Sequence, residues 1–362
     1  MNEYMNQQPQ MYCGVTVKPD KEEKKQIRRD YAKVGIVILF NVIMFNVVLK
    51  GLLYVIGGFY GGITSLSSFY TGTLKMLTDH PALKTVVSCF IPIISETLAI
   101  FIGIKLLKLD LKKLFTFNGF NGGDMVRLGT VSLGLQTVAA VLAAIIGAIL
   151  SMFGLESATA DVNINADSLA ATLFLYFYAC LLGPVLEELL YRGVVLQGLR
   201  KYNERFAIII SALIFGLMHQ NYQQFLLGFL LGLVLAYVAL RSESLLPSMI
   251  THIIVNTTGV LTSLIMQNAD HEAFASITGG NYDITSFSGS FMTAVIMNAL
   301  FRYGFLFAAI ALMIVAMVKG RVPKKPTPAG KSRGWPVLMT SVVWYLIFAA
   351  YLFLTFIQPF MY

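Results

Sequence analysis

Hydrophobic residues along the chain form nine long runs, and short polar segments separate them. Most of the runs are about 20 residues long, the length that an α-helix needs to cross a hydrocarbon core of about 30 Å. The pattern predicts an all-α fold, a polytopic transmembrane bundle of about 8–9 spans. The predicted spans lie at about 34–56, 85–107, 128–153, 169–201, 206–219, 222–240, 245–266, 292–318 and 336–358.

Four regions follow from this pattern. Residues 1–33 form a polar and basic tail, and residues 34–160 contain the first transmembrane helices. Residues 161–270 form a core segment that carries most of the polar groups found inside apolar runs. Residues 271–362 contain the last transmembrane helices, joined by a basic, Pro-rich linker.

Composition and charge exclude two classes of protein. A chain that is 56% hydrophobic and 13% charged is not an ordinary soluble domain. The net charge of +8 is spread over short segments between apolar runs. This pattern is typical of cytoplasmic loops that face anionic lipid, and not of a nucleic-acid-binding surface. Because basic segments alternate with segments poor in Lys and Arg, we expect a cytoplasmic amino terminus and, after nine spans, a carboxyl terminus outside.

Several polar side chains lie inside apolar runs, where a charge is costly and usually has a role. Glu187 is 14 residues before Lys201, and His219 is 14 residues after Arg205, so each lies roughly 21 Å from a basic boundary of a helix. His252 is 11 residues beyond the basic residue at 241, or roughly 16 Å. The three depths agree within about a turn, which predicts a shared site inside the membrane.

Spacing separates the roles of these groups. Glu188 and Arg192 are four apart and predict an ion pair within one helix, which leaves Glu187 as the carboxylate free to act. His252 and Asn256 are one turn apart and share a helix face. Such a set could activate a water molecule: Glu187 would take its proton, and His252 and Asn256 would donate hydrogen bonds to the developing oxyanion. In this scheme His219 would orient the water or hold a metal.

The ordered set resembles a known family. Glu187-Glu188-x-x-x-Arg192, Phe215-x-x-x-His219 and His252-x-x-x-Asn256 are similar to the three motifs of the CPBP family, over about residues 165–265. That family contains the type II CAAX prenyl endopeptidases and the bacterial bacteriocin-processing or self-immunity proteins, also called Abi proteins. The resemblance implies an intramembrane peptidase whose site faces the cytoplasm and acts on a membrane-associated peptide or protein. It implies Glu187 as the base, Glu188 and Arg192 as its supports, and His219, His252 and Asn256 as the groups that complete the site.

Alternatives remain at this stage. A divalent metal such as zinc is left open as a cofactor, although the chain has no His-Glu-x-x-His pattern and we expect no obligatory tight metal. A non-catalytic immunity or membrane partner protein could share the fold, and a proton-coupled transporter could use the same groups as a relay. Glu96 and Arg302 lie about ten residues from the outer ends of their spans, and we expect a structural ion pair between them.

Overall fold

The molecule is helical throughout the part of the chain that the structure describes. The computed structural model describes residues 21–65, 67–116, 121–153, 168–278, 287–318, 338 and 341–357. Within these ranges there are twelve helices and no strand. The predicted all-α fold is therefore confirmed.

The helices follow the hydrophobic runs. In chain order they are α1 (Lys21–Gly61), α2 (Ser68–Asp79), α3 (Pro81–Leu107), α4 (Leu111–Leu114), α5 (Gly122–Met152), α6 (Leu169–Arg200), α7 (Glu204–Leu217), α8 (Tyr222–Ser242), α9 (Leu246–Ala269), α10 (His271–Thr278), α11 (Gly289–Val318) and α12 (Val342–Phe356). Among the described residues, seven helices are long and apolar enough to cross a membrane: α1, α3, α5, α6, α8, α9 and α11. The chain is a multi-pass membrane protein.

Two predicted spans form helices shorter than a bilayer requires. The helix α7 has 14 residues and α12 has 15, so at 1.5 Å per residue they extend roughly 21 and 23 Å. The helix α7 packs against α6 and α8, whereas α12 packs mainly against α1 and keeps one face exposed, which includes Tyr345 and Leu346. The predicted number of 8–9 spans is accordingly approximate.

Three segments differ from the sequence prediction or lie beyond the description. The loop predicted between the first two spans contains α2, and the acidic loop predicted after the seventh contains α10. The charged segment from Lys21 onward is already part of α1. Residues 1–20, the loop at 154–167 and the Pro-rich linker lie outside the described residues.

The centre of the bundle is the second half of α6. Leu190, Val195, Leu196 and Leu199 are fully buried, although residues in the first half of the same helix, such as Leu173, are exposed. The helices α1, α3, α7 and α9 surround α6, and α12 closes the bundle against α1. The side chains on the second half of α6 therefore lie away from lipid, and this half carries the acidic motif.

The contact between α1 and α2 depends on close backbone approach at glycines. A Cβ atom at Gly57 would overlap the Cα and Oγ1 of Thr73, and one at Gly72 would overlap the carbonyl of Gly57. Apolar side chains cannot enter this contact. Since α2 joins α1 to α3, the glycines fix the geometry of the first three helices.

Substituting Gly57 with Ala should lower the free energy of unfolding by about 1–3 kcal/mol, because the added methyl forces the two helices apart. Gly51→Ala is the matched control, since nothing lies within 4 Å of a Cβ at that position of the same helix. Because both variants replace a helical Gly with Ala, the gain in helix propensity is the same in both and cancels in the comparison. Thermal unfolding of the purified chain in detergent measures the difference; equal midpoints for the two variants would refute the close contact.

Candidate active site

Two adjacent carboxylates on α6 lie in very different surroundings. The Glu188 side chain is fully buried, whereas the Glu187 side chain is 11% exposed. The helix around them is wider than an α-helix: Tyr178–Leu182 and Glu188–Leu196 are π-helical, and a regular stretch, Gly183–Glu187, separates them. Pro184 lies in that stretch and cannot donate a hydrogen bond to the preceding turn, which is a common cause of irregular helix geometry.

Glu188 is held by two cationic or polar partners. Arg192 Nη1 lies 3.0 Å from Glu188 Oε1, so the ion pair predicted from the spacing is present and fully buried. Nδ1 of His252 on α9 lies 3.2 Å from the same oxygen. Arg192 also donates from Nη2 to the carbonyl of Gly232 on α8, at 3.3 Å, and its guanidinium lies over the ring of Phe215, 4.2 Å from the centroid. These contacts join α6 to α7, α8 and α9.

His252 lies between the two carboxylates. While Nδ1 faces Glu188, Nε2 lies 3.5 Å from Glu187 Oε2. Ionised carboxylates only accept hydrogen bonds, so the ring satisfies both neighbours only when each nitrogen carries a proton, or when Glu187 itself carries one. Glu187 and His252 thus lie within ion-pair distance of each other.

His219 follows the end of α7 in a tight turn. Its Nδ1 lies 3.0 Å from the carbonyl of Phe215 and, because a carbonyl only accepts, this nitrogen carries the hydrogen. Nε2 of a neutral ring is then a free acceptor. The turn is short because Asn221 caps α8 by accepting from the backbone N–H of Gln224, at 2.8 Å. The imidazole packs against Gly228, where a Cβ would lie 3.3 Å from the ring.

Asn256 contacts the wide turns of α6. Its Nδ2 donates to the carbonyl of Ala179, at 3.1 Å, and Ser211 on α7 donates to the carbonyl of Tyr191, at 2.8 Å. Both acceptors lie in π-helical segments, where carbonyls lose their regular partners and become available to neighbouring side chains. The wide turns therefore dock α7 and α9 onto α6. One N–H of the Asn256 amide is used in this contact, and the other is not.

The structure brings most of the predicted site together. Glu187, Glu188, Arg192 and His252 form a continuous set of contacts, and Asn256 lies one turn beyond His252. His219 joins this set through Phe215: both imidazoles make edge contacts with that ring, at centroid distances of 5.4 and 5.5 Å. Within the described residues, no hydrogen bond or ion pair links His219 directly to Glu187 or His252.

Comparison with known proteins gives the same assignment for this part of the chain. Residues 169–258 match a family model described as "Type II CAAX prenyl endopeptidase Rce1-like". This segment is similar to the CPBP family, to which the three motifs also point. The resemblance of the three motifs is therefore confirmed, and the matched segment contains α6, α7, α8 and the first half of α9.

A curated relative carries a similar core. The chain is 27% identical over 114 residues to a Bacillus subtilis (strain 168) protein named "Putative membrane peptidase YdiL". The match covers 31% of this chain and 47% of the relative, so the chain spans about half the length of the relative. No solved structure matches the chain.

One acidic residue outside the matched segment 169–258 lies near the site. Glu96, in the middle of α3, is only 2% exposed and lies within electrostatic range of Glu187. Its Oε2 has no hydrogen-bond partner among the described residues. The sequence identified Glu96 as an unusual charge in a span, but the expected partner was wrong.

The predicted ion pair between Glu96 and Arg302 is not formed. Arg302 Nε instead donates to Asn298 Oδ1 on the same helix, at 3.0 Å. The reason is the packing of the helices: α11 lies against α5 and α9, whereas α3 lies against α1 and α6. Glu96 and Arg302 therefore lie at similar depth in the bilayer but on different sides of the bundle.

The donor set does not fit a tightly bound zinc ion. In the ranges that the structure describes, no group of three or more His, Cys, Asp or Glu side chains is close enough to hold a metal. Glu188 is paired with Arg192, whereas Glu187, His252 and Nε2 of His219 keep free donor atoms, but these three side chains are not grouped closely enough to hold one ion. Zinc sites in proteins use at least three protein ligands. We derive no chemical step through a metal.

Proposed function

We propose that the protein is an intramembrane endopeptidase that hydrolyses a peptide bond in a membrane-associated peptide or protein. The observation that carries the proposal is that the two adjacent carboxylates differ in their partners and in their exposure. Arg192 and His252 hold Glu188, whereas Glu187 is partly exposed and faces one ring nitrogen. The match of residues 169–258 to the family model and the name of the similar B. subtilis protein support the same reaction class.

The proposed reaction uses a water molecule activated by Glu187. The carboxylate takes one proton from water as the oxygen attacks the carbonyl carbon of the scissile bond. The C–N bond then breaks, and the proton passes from Glu187 to the departing amine. His252, whose Nε2 lies 3.5 Å from Glu187 Oε2, keeps the carboxylate oriented during both transfers.

Two further groups complete this scheme. Nε2 of a neutral His219 can accept a hydrogen bond from the water and so orient it, since Nδ1 is fixed on the Phe215 carbonyl. The unused N–H of Asn256 can donate to the oxyanion that forms on the carbonyl oxygen. Glu188 and Arg192 touch neither water nor substrate in this scheme and act as positioning residues.

The proposed site opens toward the cytoplasm. Supporting this, the basic residues near Glu187, His219 and His252 in sequence lie in segments that the positive-inside rule places there. The same rule places the amino terminus in the cytoplasm and the carboxyl terminus outside. Modification of single engineered cysteines by a membrane-impermeant reagent in intact cells tests this orientation.

The function is tested by comparing membrane peptides in cells that carry the wild-type chain or the Glu187→Gln variant. Mass spectrometry should find new termini that depend on the wild-type chain and disappear in the variant. An immunity or partner protein with the same fold would instead leave the peptide profile unchanged, and its cellular phenotype would survive the substitution. That result would replace the peptidase proposal.

Chelation should leave the activity nearly unchanged, because the site offers too few donors for a tight metal. The termini found in the previous comparison can be followed in purified membranes with and without a strong zinc chelator. A loss of cleavage that added Zn²⁺ restores, but added Mg²⁺ does not, would contradict a metal-independent mechanism. The Glu187→Gln variant gives the background rate in both conditions.

A further inference from the structure

A cavity of about 360 Å³ lies among α1, α2 and α3, outside the CPBP core. Its walls are mainly apolar, and the apolar residues are Phe45, Leu53, Leu74, Leu77, Val87 and Ile91. Leu74 on α2 and Lys84 on α3 are exposed, so the cavity reaches the surface of the bundle. Ligand sites in proteins commonly measure about 300–1,000 Å³, and this volume is suited to one apolar chain rather than two.

A half-buried cation lines this mainly apolar space. Lys50 lines the cavity, and its ammonium is directed to two neutral amide oxygens, Asn46 Oδ1 at 3.1 Å and Gln220 Oε1 at 3.4 Å. It also lies 4.7 Å from the centroid of the Phe45 ring. Among the described residues, no carboxylate lies within ion-pair distance of Lys50. A cation surrounded by apolar groups and without a counter-ion is costly, and an anionic ligand would offset that cost.

We propose that this cavity binds a single-chain carboxylate amphiphile such as a fatty acid, with the acyl chain among the apolar residues and the carboxylate on Lys50. A carboxylate carries one charge and is small enough to approach an ammonium inside a bundle, unlike the larger head group of a two-chain phospholipid. Lys84 adds a second positive charge to the wall. The proposal is independent of the peptidase function and concerns the first three helices.

The proposed site is connected to the turn that carries His219. Gln220, which accepts from Lys50, is the next residue after His219 and has a positive φ of 57°. A bound carboxylate would compete with the Gln220 amide for the same ammonium. Occupancy of the cavity would therefore change the hydrogen bonding of the residue beside a proposed active-site imidazole.

The test uses the purified full chain in lipid nanodiscs and a palmitate analogue that carries a photoreactive diazirine. After irradiation, mass spectrometry should place cross-links on α2 and α3, at peptides that contain Leu74, Leu77 or Val87. Oleate should displace the probe, whereas methyl oleate, which has the same chain and no charge, should not. Equal displacement by the two compounds would overturn the role of Lys50.

Three variants make the test specific. Lys50→Met should weaken labelling of these peptides by about tenfold or more, since it removes a charge-assisted contact. Lys105→Met is the matched control: Lys105 also lies over an aromatic ring, 4.0 Å from the centroid of Phe101, but does not line the cavity. Val87→Trp should reduce labelling by filling the space while leaving Lys50 in place. Labelling that is unchanged in both Lys50→Met and Val87→Trp, or spread over all lipid-facing helices, would refute the site.

Discussion

Glu187→Gln should abolish peptide cleavage while leaving the chain folded. Removal of a general base typically lowers a rate by about 10²–10⁴-fold, and Gln cannot accept a proton at this position. The fold should survive because the close polar contact of Glu187 is one nitrogen of His252, at 3.5 Å. The unfolding temperature should therefore stay close to that of the wild-type chain.

Glu188→Gln is the matched comparison, one residue along the same helix. The same chemical change there leaves the fully buried Arg192 without its anion, so the main loss should be in stability. Both quantities can be measured on each purified variant: the rate at which wild-type-dependent termini appear, and the unfolding midpoint. If Glu187→Gln retained full activity, the assignment of the base would be wrong. If the two variants lost stability equally, the distinction between the carboxylates would fail.

Arg192→Met should destabilise the chain by about 3–5 kcal/mol, the usual cost of breaking a buried ion pair. Glu188 would remain with His252 as its partner, and the carbonyl of Gly232 and the ring of Phe215 would lose their contacts with the guanidinium. Because these contacts join four helices, the loss should affect the whole core. A thiol-reactive fluorescent dye can report unfolding through Cys89, which is 1% exposed in the folded chain.

Two controls separate charge from packing. The double variant Glu188→Gln with Arg192→Met should recover part of the lost stability, because it leaves no uncompensated buried charge. Arg302→Met removes a partly buried arginine that donates to the neutral Asn298, and its effect should be clearly smaller. If the double variant were as unstable as Arg192→Met, the stability loss would come from the lost packing of the Arg192 side chain and not from the uncompensated charge of Glu188.

The sequence predicted the parts of the fold that follow from local pattern. Runs of about 20 apolar residues identify membrane helices, and the spacing of Glu188 and Arg192 identified their ion pair. The meeting of Glu187 with His252 was inferred from equal depth, and they do lie 3.5 Å apart. In that case, depth was sufficient because both residues lie on helices that pack together.

The same reasoning failed where the answer depends on which helices are neighbours. Glu96 and Arg302 have equal depth but face different partners, and no local pattern reveals that choice. The helix α2 was predicted as a loop because its sequence is rich in small polar residues. Its stability depends on the glycines of α1, which allow backbone contact over a long sequence separation. The Ala179 contact of Asn256 likewise depends on a backbone irregularity that the sequence pattern does not reveal.

The π-helical turns of α6 also affect how the chain should be aligned and edited. A π turn holds one more residue than an α turn, so it can be gained or lost through a single-codon insertion or deletion without changing the ends of the helix. Residues on the two sides of such an event turn relative to each other by about 100°. In alignments with distant relatives, one-residue gaps are best placed inside Tyr178–Leu182 or Glu188–Leu196, where the carbonyls of Ala179 and Tyr191 already bond outside the helix. A gap placed within Gly183–Glu187 would instead put the wrong glutamate in the column of the base.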